Sequence, residues 1–142
     1  MVDDVGINKA AILERCVARV REEYAGDEAN LFRDQTRQDA IILNLQRACE
    51  AAIDLAMHRV RVHRLGVPQE SRDAFSMLEG AGRLDPVLAA KMAKMVGFRN
   101  VAVHDYQALN LRIVQAIVTE HLDDFLAFAR WALQGAGGHE AK

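Results

Sequence analysis

One polar cluster in the sequence combines residue types that can act on a phosphodiester: Arg99, Asn100, His104 and Tyr106. Histidine titrates near neutral pH, so it can take or give a proton. Arginine presents a rigid fork of donors that matches phosphate oxygens. Asparagine can hold such an oxygen or orient the imidazole, and tyrosine can donate a hydrogen bond or stack on a base. This set suits RNA cleavage without a metal, in which a base takes the proton of the ribose 2′-hydroxyl and an acid protonates the leaving 5′ oxygen.

The spacing of the cluster poses a geometric problem. On one straight helix, Arg99 and His104 lie five residues apart and point about 140° away from each other. Tyr106, seven residues after Arg99, would return to nearly the same face as the arginine. Either the helix loosens near His104, or two copies of the chain combine their residues across a twofold interface. We favour the second arrangement, because a symmetric dimer doubles each residue and builds a composite cleft.

Other arrangements of catalytic residues are missing from the sequence. It contains no glycine-rich phosphate loop and no serine in a nucleophile elbow. The five histidines form neither Glu-x-x-His nor His-x-x-x-His pairs, so we expect no metal site. Cys16 and Cys49 are too few for a disulfide framework, and their positions on apolar stripes predict buried thiols.

The elements that must position the cluster are helices, because apolar residues recur with helical spacing in every long segment. Ser71 is a predicted helix N-cap, and Asp85 followed by Pro86 predicts another helix start. Residues 30–35 are polar enough to be a connection. Helices are predicted over residues 8–24, 36–64, 71–79 and 110–135. Another predicted helix starts at residue 86 and ends either near Arg99 or at His104.

Four long helices and one short helix predict an all-α fold, an antiparallel four-to-five-helix bundle. The 142 residues form one domain, 1–142, with a flexible tail over 135–142. The net charge of −2 argues against a protein that coats nucleic acid through long-range attraction, although a local basic cleft remains compatible with it. No apolar stretch is long enough to span a membrane and no signal peptide is recognisable, so we expect a cytoplasmic protein.

Beyond these local patterns, the chain resembles the HepT-type toxins, a branch of the HEPN superfamily. Arg99-x-x-x-x-His104-x-Tyr106, with Asn100 after the arginine, is similar to the signature of that family. The likeness covers nearly the whole chain, from about residue 11 to residue 133. It includes the segments 51–56 (AAIDLA), 73–78 (DAFSML) and 95–100 (MVGFRN), and the closing helix over 110–133.

The resemblance implies a homodimeric, metal-independent ribonuclease toxin of a type VII toxin–antitoxin system. It implies that Arg99 and His104 are the catalytic pair, supported by Asn100, and that no cofactor is needed. The implied partner is a minimal nucleotidyltransferase antitoxin that transfers AMP from ATP to Tyr106. The added AMP would place bulk and negative charge where the RNA phosphate binds.

A basic run near the end of the second long helix is a secondary candidate. His58 and Arg59 begin this run and are candidate supporting or RNA-contact residues. The alternative is a solvated helix C-terminus, where cations are stabilised by the macrodipole. Asp54, four residues before His58, is predicted to pair with its imidazole. A structural role for Asp54 is equally compatible with the sequence.

Two other functions remain open at this point. In the first, the bundle is a non-catalytic HEPN module that binds nucleotide or scaffolds a nucleotidyltransferase. In the second, it is a structural bundle without an active site. His104 beside Arg99 favours catalysis over binding, because binding alone requires no titratable group.

Overall fold

The computed structural model describes residues 3–136, which form helices joined by short connections, without a β-strand in that range. The all-α prediction is therefore confirmed. Residues 135 and 136 of the predicted tail lie in the last helix, and residues 137–142 lie outside the described residues. The elements are α1 (Asp4–Tyr24), α2 (Ala29–Phe32), α3 (Gln35–Val62), α4 (Ser71–Gly80), α5 (Pro86–His104), a 3₁₀ turn (Tyr106–Ala108), α6 (Leu111–Ala116), a π-helical segment (Ile117–His121) and α7 (Leu122–Ala136).

The central element is α3, which packs against α1, α4, α5 and α7. The apolar stripes predicted from the sequence form this core, and both cysteines are buried in it as free thiols. Phe75 of α4 meets Phe128 of α7 edge to face, with ring centroids 5.4 Å apart. Because α3 touches most other helices, its side chains can reach residues that are distant in the sequence.

The helix that carries the polar cluster begins and ends as predicted. The Asp85 carboxylate accepts a hydrogen bond from the Leu88 backbone N–H at 3.0 Å, and Pro86 occupies the first turn. From there α5 is continuous to His104, where the Asp105 N–H still bonds to the Val101 carbonyl. The helix therefore does not loosen before His104, and the first of the two geometric alternatives is wrong.

Two connections differ from the prediction. Residues 30–35 were expected to be a simple connection, but α2 occupies part of this segment and buries Leu31 completely. One turn is too short to show a helical period in the sequence. Ser71 is not the N-cap of α4: that position belongs to Glu70, whose backbone N–H donates to the Asp73 carboxylate at 3.0 Å. Ser71 becomes the first helical residue, and its hydroxyl faces α5.

The closing helix was predicted to be continuous and to end at Gly135. It is instead divided by the π-helical segment, and α7 continues to Ala136. The Thr119 hydroxyl donates to the Gln115 carbonyl at 2.9 Å in this wider turn. The apolar stripe in the sequence does not reveal the π-helical segment, because Ile117, Val118 and Leu122 are all buried on either side of the wider turn.

Candidate active site

Arg99 is half-buried on α5, and a residue of α4 holds its side chain. Its Nη2 donates to the Ser71 hydroxyl at 3.1 Å, a contact between residues 28 positions apart. Its Nε is enclosed and has no acceptor among the described residues. Burial raises the pKa of the neighbouring Cys49 thiol, against the opposing charge of Arg99, so this thiol is neutral. Arg99 is therefore oriented by one hydroxyl and keeps further donors for an anionic group.

His104 and Asn100 lie on a different side of α5. They are four residues apart, about 40° around the helix, and both are exposed. Within residues 3–136, neither side chain makes a hydrogen bond or ion pair. His104 is also the last residue of α5. Both side chains are thus available to a ligand or to another chain.

The unbroken helix keeps Arg99 and His104 apart. Because α5 is regular between them, their side chains leave the axis about 140° apart. Arg99 points toward Ser71 at the edge of the core, whereas His104 points into solvent. One copy of the chain therefore does not aim both residues at one phosphate.

A second arginine, Arg72 of α4, lies across the helix that carries the cluster. Its Nε donates to the Ala93 carbonyl at 3.2 Å. A Cβ at Gly97 would stand 2.8 Å from Arg72 Nη2, so glycine is what permits this close approach. Gly97 lies on the same side of α5 as Asn100 and His104. No sequence pattern pointed to Arg72, because only the packing of α4 on α5 adds its charge to this face.

Tyr106 follows the helix in the 3₁₀ turn and is tethered to the start of α3. Its hydroxyl donates to Asp39 Oδ1 at 2.7 Å, across 67 positions of sequence. Burial, this hydrogen bond and the charge of Asp39 raise the pKa of Tyr106 to about 12. Gln35 Nε2 donates to the same carboxylate oxygen at 2.8 Å. The phenol is therefore protonated at neutral pH, and Asp39 is a site residue that the sequence analysis missed.

An apolar groove of roughly 540 Å³ runs between α5 and α6 beside the cluster. Phe98, Val101, Leu109 and Ile113 line it. Val101 and Ile113 are exposed, as is Val103, the residue before His104 on α5. Apolar side chains are therefore concentrated on the surface next to His104.

The secondary candidates form a separate cluster at the other end of α3. The predicted pair of Asp54 with His58 is wrong: Asp54 bonds to Lys9 at 3.1 Å, and His58 Nε2 contacts Asp3 Oδ1 at 2.8 Å. Arg59 Nη1 donates to the other Asp3 oxygen at 3.2 Å, and only 3% of its side chain is exposed. Asp3 is the N-cap of α1, so these contacts join the start of α1 to the end of α3. The burial of Arg59 favours a structural role over contact with RNA.

Replacing Asp3 with asparagine is expected to lower the free energy of unfolding by about 1–3 kcal/mol, because the buried Arg59 loses its counter-charge. Burial raises the pKa of Asp3, but hydrogen bonds from Gly6 and His58 and the charges of His58 and Arg59 outweigh it and lower the pKa overall. The stabilisation is thus present above the unfolded value near 3.9 and is lost as pH falls through the lower folded value.

Denaturant unfolding of the wild type and the Asp3→Asn variant, repeated from pH 7 downward, checks this expectation. The difference between the two proteins should shrink below about pH 4. Asp123→Asn is the matched control, because Asp123 pairs with Arg21 on the exposed surface and should change stability little. An equal difference at pH 7 and pH 2.5 would show that the charge of Asp3 is not the cause.

Residues 3–136 have neither a candidate group of metal ligands nor a candidate membrane-spanning helix. In that part of the chain, no three His, Cys, Asp or Glu side chains are grouped as metal ligands would be. None of its helices has the length and apolar character needed to cross a membrane.

Known proteins match most of this chain in sequence and in fold. An mRNA nuclease HepT from Shewanella oneidensis is 49% identical over 127 residues, which are 89% of this chain and 95% of that protein. The tri-AMPylated HEPN toxin of S. oneidensis, solved in complex with MNT antitoxin, is 47% identical with a TM-score of 0.88, over 94% of this chain and 99% of the solved one. A toxin–antitoxin crystal structure with AMP-PNP contains a chain that is 46% identical with a TM-score of 0.88, over 93% of this chain and 99% of that one.

The family model for HepT-like ribonucleases matches residues 13–131, from the middle of α1 to the last turns of α7. This range includes α5 with Arg99, Asn100 and His104, the turn with Tyr106, and the start of α3 with Asp39. The match therefore covers the core and the candidate site together. The chain belongs to the HepT-like ribonuclease family.

Proposed function

We propose that this chain is the ribonuclease toxin of a type VII toxin–antitoxin system and cuts RNA without a metal. The observation that carries the proposal is the placement of Arg99 and His104 at the end of one continuous helix, with Asn100 one turn before the histidine. The 49% identity to an mRNA nuclease supports the reaction class. RNA cleavage gives a use to the exposed His104 imidazole, which has no hydrogen-bond partner within residues 3–136, and to the guanidinium that Ser71 orients, whereas the packing of a purely structural bundle requires neither.

Each residue has a role in this reaction. His104 takes the proton from the ribose 2′-hydroxyl or returns one to the leaving 5′ oxygen. Arg99 donates to the phosphate oxygens and balances the charge that develops as the 2′ oxygen attacks. Asn100 holds a phosphate oxygen or orients the imidazole from the same face. Arg72, over Gly97, adds positive charge where the neighbouring RNA phosphates would lie.

The complete site requires two copies of the chain. Arg99 of one copy and His104 of the other would face a common cleft, which resolves their 140° separation on α5. The apolar side chains exposed around His104 support this arrangement, because Val101, Val103 and Ile113 offer surface that a second copy would cover. We therefore propose a twofold homodimer with a composite active site.

Control of the toxin is proposed to act through Tyr106. A nucleotidyltransferase antitoxin would transfer AMP from ATP to the Tyr106 hydroxyl, which lies two residues from His104. The known complex of a tri-AMPylated relative with its MNT antitoxin supports this proposal. An attached AMP carries bulk and negative charge, so it would exclude the RNA backbone and repel its phosphates. AMP is thus a covalent modification here, and we propose no other cofactor.

The proposal is tested with the purified chain, expressed alone and together with its nucleotidyltransferase. The chain expressed alone should cleave total RNA in excess EDTA. The co-expressed chain should gain mass in AMP steps at Tyr106 and lose the cleavage. RNA left intact by the unmodified dimer, with and without added Mg²⁺, would favour a non-catalytic module that scaffolds the nucleotidyltransferase. If the chain expressed alone cleaves RNA without EDTA but not with it, metal independence is overturned.

A further inference from the structure

The hydroxyl of Tyr106 has a carboxylate partner of its own, supplied by α3 of the same chain. Tyr106 Oη lies 2.7 Å from Asp39 Oδ1, within the distance of a charge-assisted hydrogen bond. Tyr106 is 40% exposed, so the rest of the chain covers this residue only in part. The contact is therefore present before any antitoxin arrives.

The carboxylate of Asp39 is itself fixed. Gln35, one turn earlier on α3, donates to the same Oδ1 at 2.8 Å. A cleft of about 370 Å³ adjoins this contact, and the polar side chains that line it besides Tyr106 are the uncharged Gln35, Gln38 and Gln107. Asp39 is thus the charged group in contact with the phenol, and its orientation is set by Gln35.

Adenylylation requires the phenolic proton to leave. The neutral hydroxyl is a weak nucleophile, and the pKa of about 12 keeps Tyr106 protonated near neutral pH. The Asp39 carboxylate, whose negative charge helps to raise this pKa, is also the acceptor in contact with the phenolic proton. An acceptor in hydrogen-bond contact can remove a proton during attack even when the free phenolate is rare.

We propose that Asp39 is the proton acceptor that activates Tyr106 for adenylylation, so that the toxin supplies the base for its own inactivation. This inference rests on the proposed function, in which Tyr106 receives AMP from ATP. In the step, Tyr106 Oη forms a bond to the α-phosphorus of ATP while the bond from that phosphorus to the α–β bridging oxygen breaks. Pyrophosphate leaves with the electron pair of the broken bond, and the phenolic proton passes to Asp39 Oδ1.

The test compares rates of AMP addition to purified variants at saturating nucleotidyltransferase and Mg²⁺–ATP, followed by intact mass. Asp39→Asn keeps an oxygen acceptor at the same place but removes the base, so labelling at pH 7 should slow by about 100-fold or more. Asp39→Glu should recover part of the rate, because it restores a carboxylate. Asp39 is exposed on α3, so these changes should leave the fold intact, and Asp123→Asn serves as the matched control.

The pH profile distinguishes proton transfer from simple positioning. The Asp39→Asn rate, divided by that of Asp123→Asn, should rise about tenfold per pH unit toward the ordinary phenol pKa near 10, as ionisation replaces the lost base. A deficit equal at every pH would overturn proton transfer, as would labelling at the wild-type rate, which would assign the base to the antitoxin. A wild-type chain that gains no AMP at Tyr106 would instead contradict the proposed function itself.

Discussion

Replacing His104 with alanine is expected to lower the rate of RNA cleavage by about 100- to 10,000-fold, the range that general acid–base groups contribute. The physical reason is the loss of the titratable group at the end of α5. The fold should persist, because His104 is exposed and its side chain makes no hydrogen bond or ion pair within residues 3–136. Single-turnover cleavage of a labelled RNA measures the loss, and thermal unfolding of the same sample confirms the fold. A folded variant that cleaves at the wild-type rate would remove His104 from the mechanism.

Mixing two inactive variants tests whether one active site contains residues from two chains. Arg99→Ala and His104→Ala dimers should each be inactive, but a mixed dimer keeps one cleft with an intact arginine from one chain and an intact histidine from the other. Random exchange of subunits in an equal mixture makes half of the dimers mixed. Each mixed dimer has one working cleft of its two, so about one quarter of the wild-type rate should return. A mixture no more active than its parents would show that both residues act within one chain.

Replacing Tyr106 with phenylalanine is expected to abolish adenylylation and to leave the toxin active when its antitoxin is co-expressed. Phenylalanine keeps the ring but lacks the oxygen that would bond to AMP. The variant also loses the hydrogen bond to Asp39, which is partly exposed and worth about 1 kcal/mol, so the fold should tolerate the change. Growth of cells that express both proteins, with the mass of the recovered chain, provides the measurement.

Tyr24→Phe is the matched control, because Tyr24 and Tyr106 are the two tyrosines of the chain. Tyr24 packs against the core at the end of α1, and its variant should still be labelled and neutralised. If cells survive with the Tyr106→Phe variant and its antitoxin while the chain carries no AMP, direct binding neutralises the toxin and modification is not required.

The sequence by itself determined the helices and their main boundaries. Helical periodicity and capping depend on residues within one or two turns of each other, so they are visible without the fold. The start of α5 at Asp85 and Pro86 and its extension to His104 followed from such local signals. The order of Arg99, Asn100, His104 and Tyr106 is also local, and together with the family resemblance it predicted the reaction class.

Local signals failed where a distant side chain competed for the same group. His58 was predicted to pair with Asp54 one turn away, but Asp3, 55 positions distant, binds it. The π-helical segment was hidden because the apolar stripe continues through it. In each case the outcome depends on which surfaces the packed helices bring together, and periodicity within one helix contains no such information.

The contacts that set the chemistry of the site were decided by tertiary structure alone. Ser71 reaches Arg99 across 28 positions, and Asp39 reaches the Tyr106 hydroxyl across 67. Both contacts exist because α4 and the turn after α5 pack against the neighbouring helices. A residue's type and spacing are properties of the sequence, whereas the orientation of a guanidinium and the hydrogen-bond acceptor of a phenol depend on a partner that only folding brings within hydrogen-bond distance.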